Sequence, residues 1–397
     1  MKSSNLQESA TVAIHNLAQE KMKLAQKVYN FSAGDPCIKN HDLVIERVMK
    51  LVELGYSPYA PVAGLKQLRD LASSWLNQTC KSNFSVENVV VTSGGKFALY
   101  LLLCALLRPK DEVLLLAPYW VSYPAMVELA GGVAKIVHAK KGLKVGVEEI
   151  AKAISATSKI LIINSANNPT GEIYSQEELE AILELAHQHQ LHVISDEVYS
   201  GLAYEKDHPF ISCASFPKYR EQVSIVQSCS KNFALSGWRI GLAVAPVKLV
   251  TKICSLQGQT ITAASLASQE AAIAALENYA EVNLYVKREM QKRRDLFIQE
   301  FNLHFNAGIR APKSALYAFI PQSAFGTPQS INGVAFCSKL LQDYNAAVVP
   351  GCAFGVQDYV RLSFACPESD IVDGLKAIKR ATQEIWQLEK SLQVIKG

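Results

Sequence analysis

Short apolar runs rich in valine and isoleucine alternate with longer helical patterns through the middle of this 397-residue chain. Such runs predict buried strands, at residues 89–92, 112–117, 159–163, 192–195, 223–227 and 241–245. Helices are predicted between them, among others at residues 96–107 and 175–190. Because buried strands that alternate with helices pair in parallel, we expect an α/β fold whose mostly parallel sheet is covered by helices. Ligands bind such sheets at the carboxyl ends of the strands.

A long amphipathic helix is predicted at residues 278–301, after the last of these strands. Several apolar side chains fall near one of its faces, and most of its basic residues lie off that face. The segments that follow have an α+β pattern, so we expect this helix to link a large domain to a smaller one. The predicted division is residues 1–37 as an N-terminal arm and small-domain segment, 38–285 as the large domain and 286–397 as the small C-terminal domain.

Composition argues against several classes of function. Hydrophobic residues make up 49% of the chain, enough for a large core, and the net charge of +4 comes from acids and bases that are mixed along the sequence. Without a basic stripe we expect no nucleic-acid partner, and without a long apolar stretch we expect no membrane span. The nine cysteines are scattered and form no C-x-x-C pair, which indicates reduced thiols in a cytoplasmic protein and no metal site.

The segment Ser228-Cys229-Ser230-Lys231 directly follows a predicted strand, and Arg239 comes shortly after it. A lysine amine can bond covalently to an aldehyde cofactor, while a serine hydroxyl and an arginine guanidinium can hold the phosphate of that cofactor. The alternative is an ordinary solvated lysine. The segment therefore makes Lys231 a candidate nucleophile, with Ser228 and Arg239 as candidate phosphate ligands.

Three other motifs stand at the carboxyl ends of predicted strands. Gly94 and Gly95 separate a strand from a helix, where close backbone approach and free N–H groups suit an anion. The run Asn167-Asn168-Pro169-Thr170-Gly171 forms a turn that can aim an amide into the same region. Asp196, in Ser195-Asp196-Glu197-Val198-Tyr199, is a buried carboxylate that needs a partner such as a protonated pyridine nitrogen. Turns without a ligand, and a helix N-cap at Asp196, are the alternatives.

Arg361 alternates with apolar residues in Tyr359-Val360-Arg361-Leu362-Ser363. An arginine in such a strand lies at a sheet edge or binds a carboxylate. The planar guanidinium suits a carboxylate in bidentate geometry. Arg361 is therefore a candidate ligand of a substrate α-carboxylate.

Four motifs occur in the order Asn-Asn-Pro-Thr-Gly, Ser-Asp-Glu-Val-Tyr, Ser-Lys-x-x-x-x-x-Gly-x-Arg-x-Gly and Val-Arg-Leu-Ser-Phe. In sequence and spacing they resemble the class I and II aminotransferases, which are fold type I enzymes that depend on pyridoxal 5'-phosphate. The resemblance covers nearly the whole chain, from about residue 9 to beyond residue 365. It is nearest to bacterial aspartate aminotransferases.

The resemblance implies a role for each matching residue. Lys231 is the lysine that binds the cofactor covalently and moves the proton, Asp196 keeps the pyridine nitrogen protonated, and Tyr199 hydrogen-bonds the ring oxygen together with Asn168. The implied phosphate ligands are Gly94, Gly95, Lys96, Ser228 and Arg239, and Tyr59 reaches the phosphate of the neighbouring subunit in a homodimer. Trp120 stacks on the cofactor ring, and the implied substrate contacts are Trp120, Asn168, Gly34 and Arg361, the last two at the α-carboxylate.

The start Ser9-Ala10-Thr11-Val12-Ala13, with Lys96 after the glycine pair, resembles a bacterial subgroup in which these residues help to recognise the distal carboxylate of aspartate. The alternative is an arm with no such contact. The segments Gly34-Asp35-Pro36-Cys37 and Pro312-Lys313-Ser314-Ala315 depart from the usual family pattern. These departures concern the pocket for the substrate side chain, not the cofactor chemistry.

The expected activity is transfer of the amino group of an L-amino acid, aspartate in the first place, to 2-oxoglutarate by a ping-pong mechanism. The alternative enzymes are an aromatic or alanine-type aminotransferase, or a lyase with the same fold. A cofactor-binding regulator would carry a DNA-binding module, and a nicotinamide dehydrogenase would carry a G-x-G-x-x-G phosphate loop. The sequence shows neither pattern.

Overall fold

The computed structural model of the chain describes residues 10–55, 57–326 and 331–396. The strands of these residues are β1 (Tyr29–Asn30), β2 (Val89–Thr92), β3 (Glu112–Ala117), β4 (Val133–His138), β5 (Ser158–Asn164), β6 (His192–Asp196), β7 (Val223–Ser228), β8 (Gly241–Val244), β9 (Tyr317–Pro321), β10 (Ala346–Ala347), β11 (Val349–Pro350) and β12 (Tyr359–Ser363). The helices are α1 (Ala10–Lys23), α2 (Asp42–Glu53), α3 (Lys66–Cys80), α4 (Gly95–Leu106), α5 (Tyr123–Leu129), α6 (Val147–Ala153), α7 (Gln176–Gln188), α8 (Cys229–Asn232), α9 (Val247–Gly258), α10 (Leu266–Glu277), α11 (Tyr279–Phe305), α12 (Gly333–Tyr344) and α13 (Glu368–Lys396).

The larger sheet has the strand order β2-β8-β7-β6-β5-β3-β4. Strand β8 is antiparallel to both of its neighbours, and the other pairings in the sheet are parallel. Residues of β2, β7 and β8 are buried on both faces of the sheet, which agrees with their continuous apolar sequences. The α/β fold with a mostly parallel sheet covered by helices is therefore confirmed.

The six strands predicted for this sheet match the observed ones to within one residue at each end. Strand β4 was missed by the sequence analysis. It pairs only with β3 in the described sheet, and most of its side chains are at least partly exposed. Lys135 and His138 interrupt the apolar pattern of this edge strand, so the signal of a buried strand is weak there.

A second, smaller group of strands comes from the two ends of the chain. Strands β11, β12 and β9 form an antiparallel sheet with β12 in the centre, and β1 pairs in parallel with β10. The core around them is rich in phenylalanine, with Phe297, Phe301 and Phe364 all fully buried. Residues from the start of the chain thus pack with residues from its end.

Helix α11 runs without interruption from Tyr279 to Phe305. The predicted boundary between residues 285 and 286 falls inside this helix, so the division into domains stays a prediction. The helix contacts both α10 and α13. None of the described helices is long and apolar enough to cross a membrane.

Candidate active site

A cavity of about 450 Å³ lies at the carboxyl ends of β5, β6 and β7. Predicted site residues from the large sheet and its loops form one side, here called the sheet wall: Gly95, Lys96, Trp120, Asn168, Asp196, Tyr199, Ser228, Lys231 and Arg239. The other side, here called the outer wall, comprises Thr11, His15, Ser32, Gly34, Tyr317 and Arg361. The cavity therefore brings together residues from the beginning, the middle and the end of the chain.

The glycine pair forms a narrow cradle at the start of α4. Gly94 has a φ of +86°, and a Cβ atom on it would lie 2.4 Å from the Arg239 Nη2 atom. A Cβ atom on Gly241 would lie 2.3 Å from the backbone of Gly94 and Gly95. Because the N–H groups of the first helical turn have no partner within the helix, this arrangement suits an anion such as a phosphate. Ser228 and Arg239 line the same end of the cavity.

Lys231 follows β7 in the short helix α8. Burial lowers the pKa of its amine to about 8, and the positive charge of Arg239 acts in the same direction, while Asp35 opposes it. A lysine with a lowered pKa has an appreciable fraction of neutral amine near pH 7, which is the nucleophilic form. The alternative of a solvated surface lysine is therefore wrong.

Asp196 is the last residue of β6, so the alternative of a helix N-cap is also wrong. Tyr123 donates its hydroxyl to Asp196 Oδ2 at 2.6 Å, while the backbone N–H of Val198 reaches Oδ1 only at 3.4 Å. Burial raises the pKa of the Asp196 carboxyl to about 6, although both hydrogen bonds oppose the shift. A cationic donor at Oδ1, such as a protonated ring nitrogen, would supply what this carboxylate lacks.

Tyr199 lies buried beside the same cavity, and its hydroxyl is 2.9 Å from the hydroxyl of Tyr317. Burial raises the pKa of the Tyr199 phenol well above its usual value, so the group stays a hydrogen-bond donor. Nearby, Asn168 donates its backbone N–H to Asn164 Oδ1 at 2.8 Å, which holds this turn against β5. Both Tyr199 and Asn168 can face an acceptor oxygen inside the cavity.

Arg361 is in β12, the central strand of its sheet, which rules out the edge alternative. Its Nη1 donates to Asn168 Oδ1 at 3.1 Å and its Nη2 donates to the Ser32 carbonyl at 2.6 Å. The guanidinium lies 4.3 Å from the ring centre of Tyr317 and 4.9 Å from that of Phe354. Among the described residues no acceptor contacts its buried Nε. The side chain is thus held in one orientation with donor capacity left for a carboxylate.

Lys96 and Trp120 meet at the cavity, with the Lys96 Nζ atom 4.9 Å from the Trp120 ring centre. Burial lowers the pKa of Lys96, and Arg239 adds to this effect. Trp120 packs edge-on against Tyr123 at 5.4 Å between ring centres, so its orientation is coupled to the donor of Asp196. A flat cofactor ring and an acidic substrate group both fit this part of the wall.

Two of the predicted residues that the structure describes, Tyr59 and Gly94, do not line the cavity in this chain. Tyr59 is 93% exposed, and Gly94 lies behind Gly95 rather than at the surface of the cavity. Ser9 lies outside the described residues, whereas Thr11 lines the cavity from α1. Among the lining residues that the sequence did not predict are His15 and Tyr317. Neither lies in one of the recognised motifs, because long-range packing of α1 and β9 brings them to the cavity.

The chain is similar in sequence to known aminotransferases. The family model described as aminotransferase class I and II matches residues 26–378. A probable aspartate/prephenate aminotransferase of Aquifex aeolicus is 34% identical over 96% of this chain and 98% of its own length. The aspartate aminotransferase of Thermotoga maritima is 30% identical, with 95% of this chain and 97% of the relative covered.

Solved structures give the same result. The aspartate aminotransferase of Thermus thermophilus with maleate superimposes with a TM-score of 0.88 at 33% identity, covering 94% of this chain and 97% of the other. The Thermotoga maritima aspartate aminotransferase gives 0.87 at 30% identity, over 95% and 98% of the two chains. The chain belongs to the class I and II aminotransferases and is a pyridoxal-phosphate-dependent aminotransferase of fold type I.

Proposed function

We propose that this aminotransferase moves the amino group of aspartate to 2-oxoglutarate, with glutamate as the amino acid product. The observation that carries the proposal is one cavity with a lysine amine of lowered pKa at Lys231, an oriented guanidinium at Arg361 and a further cation at Lys96. Two separate cationic groups suit a substrate with two carboxylates. A donor such as alanine would offer no carboxylate to the side-chain amine of Lys96.

The residues of the sheet wall fit pyridoxal 5'-phosphate. Gly95, Lys96, Ser228 and Arg239, with Gly94 shaping the turn, would hold the phosphate, and Trp120 would stack on the ring. Asp196 would pair with the ring nitrogen, while Tyr199 and Asn168 would donate to the ring oxygen. The cofactor supplies an aldehyde for covalent attachment and a ring that withdraws electrons. The narrow cradle at Gly94 supports this fit, as does Asp196 Oδ1, which accepts only a long hydrogen bond of 3.4 Å from the Val198 backbone N–H.

The chain's own groups then divide the remaining work. Arg361 binds the α-carboxylate, and the backbone at Gly34 contacts the same group. Lys96, with Thr11 and Ser9 from the arm, binds the distal carboxylate. Lys231, once released from the cofactor, moves a proton at the substrate α-carbon, for which a pKa of about 8 is well suited. Because the oxo acid product leaves before the acceptor binds, ping-pong kinetics are expected.

Tyr59 supports a homodimer with shared active sites. The side chain is 93% exposed in the single chain and does not line its own cavity. Met49, Val52 and Leu54, in and just after α2, are also exposed apolar side chains. Such a surface is typical of one that a second copy covers. We propose that Tyr59 contacts the cofactor phosphate of the partner, in a protein of the cytoplasm.

The test is a donor and acceptor screen on cofactor-loaded protein. Aspartate should shift the visible absorbance of the cofactor, and 2-oxoglutarate should restore it. Alanine and phenylalanine test the alternative aminotransferases, and release of an unsaturated or deaminated product without an acceptor tests a lyase. Because several relatives are named aspartate/prephenate aminotransferases, prephenate is included as a second acceptor with two carboxylates. A higher kcat/KM for phenylalanine than for aspartate would reject the substrate assignment.

A further inference from the structure

His15 lines the cavity from α1, one helical turn after Thr11. One of its ring nitrogens, Nδ1, is 3.2 Å from the side-chain nitrogen Nδ2 of Asn30. Within the part of the chain that the structure describes, the other ring nitrogen, Nε2, has no hydrogen-bond partner. A half-buried polar group at a substrate cavity with one engaged and one available nitrogen is placed to contact a ligand.

The orientation of the Asn30 amide follows from its other neighbour. The backbone N–H of Ser32, which can only donate, contacts Asn30 Oδ1 at 3.1 Å, and the Ser32 hydroxyl donates to the same oxygen at 2.7 Å. The Asn30 oxygen must therefore face Ser32, and the NH₂ group must face His15. Since an amide NH₂ can only donate, His15 Nδ1 must accept. The imidazole is then neutral and carries its hydrogen on Nε2.

The same chain of contacts ends at the carboxylate-binding arginine. Ser32 accepts a hydrogen bond from Arg361 Nη2 through its carbonyl at 2.6 Å. Arg361, Ser32, Asn30 and His15 thus form a continuous series of hydrogen bonds along the outer wall. Helix α1 is also fixed to helix α12, because Lys21 Nζ donates to the carbonyls of Leu341 and Gln342 at 2.8 Å each. His15 and Arg361 therefore keep a defined relative position.

We propose that His15 is a specificity-determining residue that donates a hydrogen bond from Nε2 to a carboxylate on the substrate side chain, with Asn30 as the positioning residue that keeps it a donor. This proposal rests on the proposed function and names a residue outside its motifs. Lys96 places a positive charge near the distal carboxylate, whereas the hydrogen bond from His15 fixes the orientation of that carboxylate. Asp35 also lines this cavity. Because its negative charge repels a second carboxylate, that carboxylate needs directed hydrogen-bond donors to bind here.

The first experiment replaces the donor. His15→Phe keeps a planar ring and removes both nitrogens. The ratio of kcat/KM for aspartate to kcat/KM for alanine should fall about tenfold or more, as expected for a lost hydrogen bond to a charged group. His15→Gln, which can still donate, should restore part of the ratio. His189→Phe, at the exposed end of α7, is the matched control and should leave the ratio unchanged.

The second experiment inverts the tautomer. Asn30→Asp keeps an oxygen for Ser32 but presents a carboxylate oxygen to Nδ1, which must then donate. Neutral Nε2 becomes an acceptor, and protonation of the imidazole restores the donor. Because an imidazole gains a second proton as pH falls, the aspartate-to-alanine ratio should rise more steeply toward low pH in the variant than in the unchanged protein, where Nε2 is a donor in either state. The other titratable and charged groups that face the cavity are Asp35, Lys96, Asp196, Tyr199, Lys231, Arg239, Tyr317 and Arg361. Groups that affect both donors alike cancel in the ratio, and comparison with the unchanged protein accounts for Lys96.

The outcomes separate the two hypotheses. If the unchanged protein transfers amino groups but neither His15→Phe nor Asn30→Asp alters the ratio or its pH dependence, the role of His15 is wrong and the proposed activity stands. If both donors lose activity equally in His15→Phe, the residue is only structural. If the cofactor-loaded protein accepts no amino acid, the proposed function fails and this inference fails with it.

Discussion

The two walls of the cavity are built in different ways. The sheet wall lies within residues 95–239, at the ends of neighbouring strands and in the loops that follow them. The outer wall joins segments from opposite ends of the chain, since Arg361 and Ser32, which share a hydrogen bond, are 329 residues apart in sequence. Local turns shape the first wall, whereas tertiary packing assembles the second.

This difference matches a division of labour. Groups that any pyridoxal-phosphate enzyme needs, a lysine amine, an anion cradle and a carboxylate for the ring nitrogen, belong to the sheet wall. In the proposed function, groups that meet the rest of the substrate, such as Arg361 and Thr11, belong to the outer wall, and Lys96 of the sheet wall is the exception. Changes in the sheet wall other than at Lys96 should therefore affect all donors through the chemical step, and changes in the outer wall should act through binding and selection.

The largest effect is expected at Lys231 in the sheet wall. Lys231→Ala removes both the covalent attachment of the cofactor and the proton-transfer group, so kcat should fall by about 10⁴-fold or more. Borohydride treatment of the loaded unchanged protein, followed by peptide mapping, should label Lys231 and no label should appear in the variant. Lys159→Ala, at an exposed lysine, is the control. If Lys231→Ala kept full activity, the sheet wall would not carry the chemical step, and the proposed difference between the two walls would be wrong.

A smaller but broad effect is expected at Arg361 in the outer wall. Arg361→Lys loses the planar fork that contacts Asn168 and Ser32, and a lysine cannot bind a carboxylate in bidentate geometry. The value of kcat/KM should fall about 100-fold for aspartate and alanine alike, mainly through KM, because both carry the α-carboxylate.

The matched control for Arg361 is Arg294→Lys. Arg294 is also buried and also lies over an aromatic ring, that of Tyr204 at 4.7 Å, but it does not line the cavity. This substitution should lower the free energy of unfolding and leave KM for both donors unchanged. If Arg361→Lys weakened aspartate alone, Arg361 would bind the distal rather than the α-carboxylate.

The sequence predicted the sheet wall far better than the outer wall. The ends of the predicted strands fall within one residue of β2, β3 and β5–β8, and the motifs at these ends place Lys231 and Asp196 correctly in one cavity. His15 and Tyr317 have no such local signal. Their positions depend on where α1 and β9 pack, which sequence periodicity does not specify. The edge strand β4 was not predicted because its partly exposed residues give only a weak apolar pattern.

A third prediction concerns the stability of the sheet wall without cofactor. The pKa of Asp196 is about 6 in the folded protein against an ordinary value of 3.8. As pH rises through this window the unfolded chain loses the proton first, so the folded state loses stability, by roughly 2–3 kcal/mol above pH 6. Asp196→Asn can still accept from Tyr123 and avoids this cost.

Cofactor-free Asp196→Asn should therefore be more stable than the unchanged protein at pH 8 and similar to it at pH 3.5, as measured by urea unfolding. Its cofactor should bind less tightly and its activity should be low, because the ring nitrogen loses its partner. Asp207→Asn, at an exposed aspartate, should show no difference between the two pH values. Lower stability of Asp196→Asn at pH 8 would mean that Asp196 is not held against its ionisation.

The smallest effect is expected where the walls meet, at the 2.9 Å contact between the hydroxyls of Tyr199 and Tyr317. Tyr317→Phe removes one hydrogen bond of about 1 kcal/mol, so kcat/KM should fall about fivefold for every donor. Tyr359→Phe, in the adjacent strand β12, should have no effect. In a Tyr199→Phe background the Tyr317 substitution should cost almost nothing further, because the contact is already lost. Additive losses in this double-mutant cycle would show that Tyr317 acts on the substrate independently, and the outer wall would then contribute to the chemical step as well as to selection.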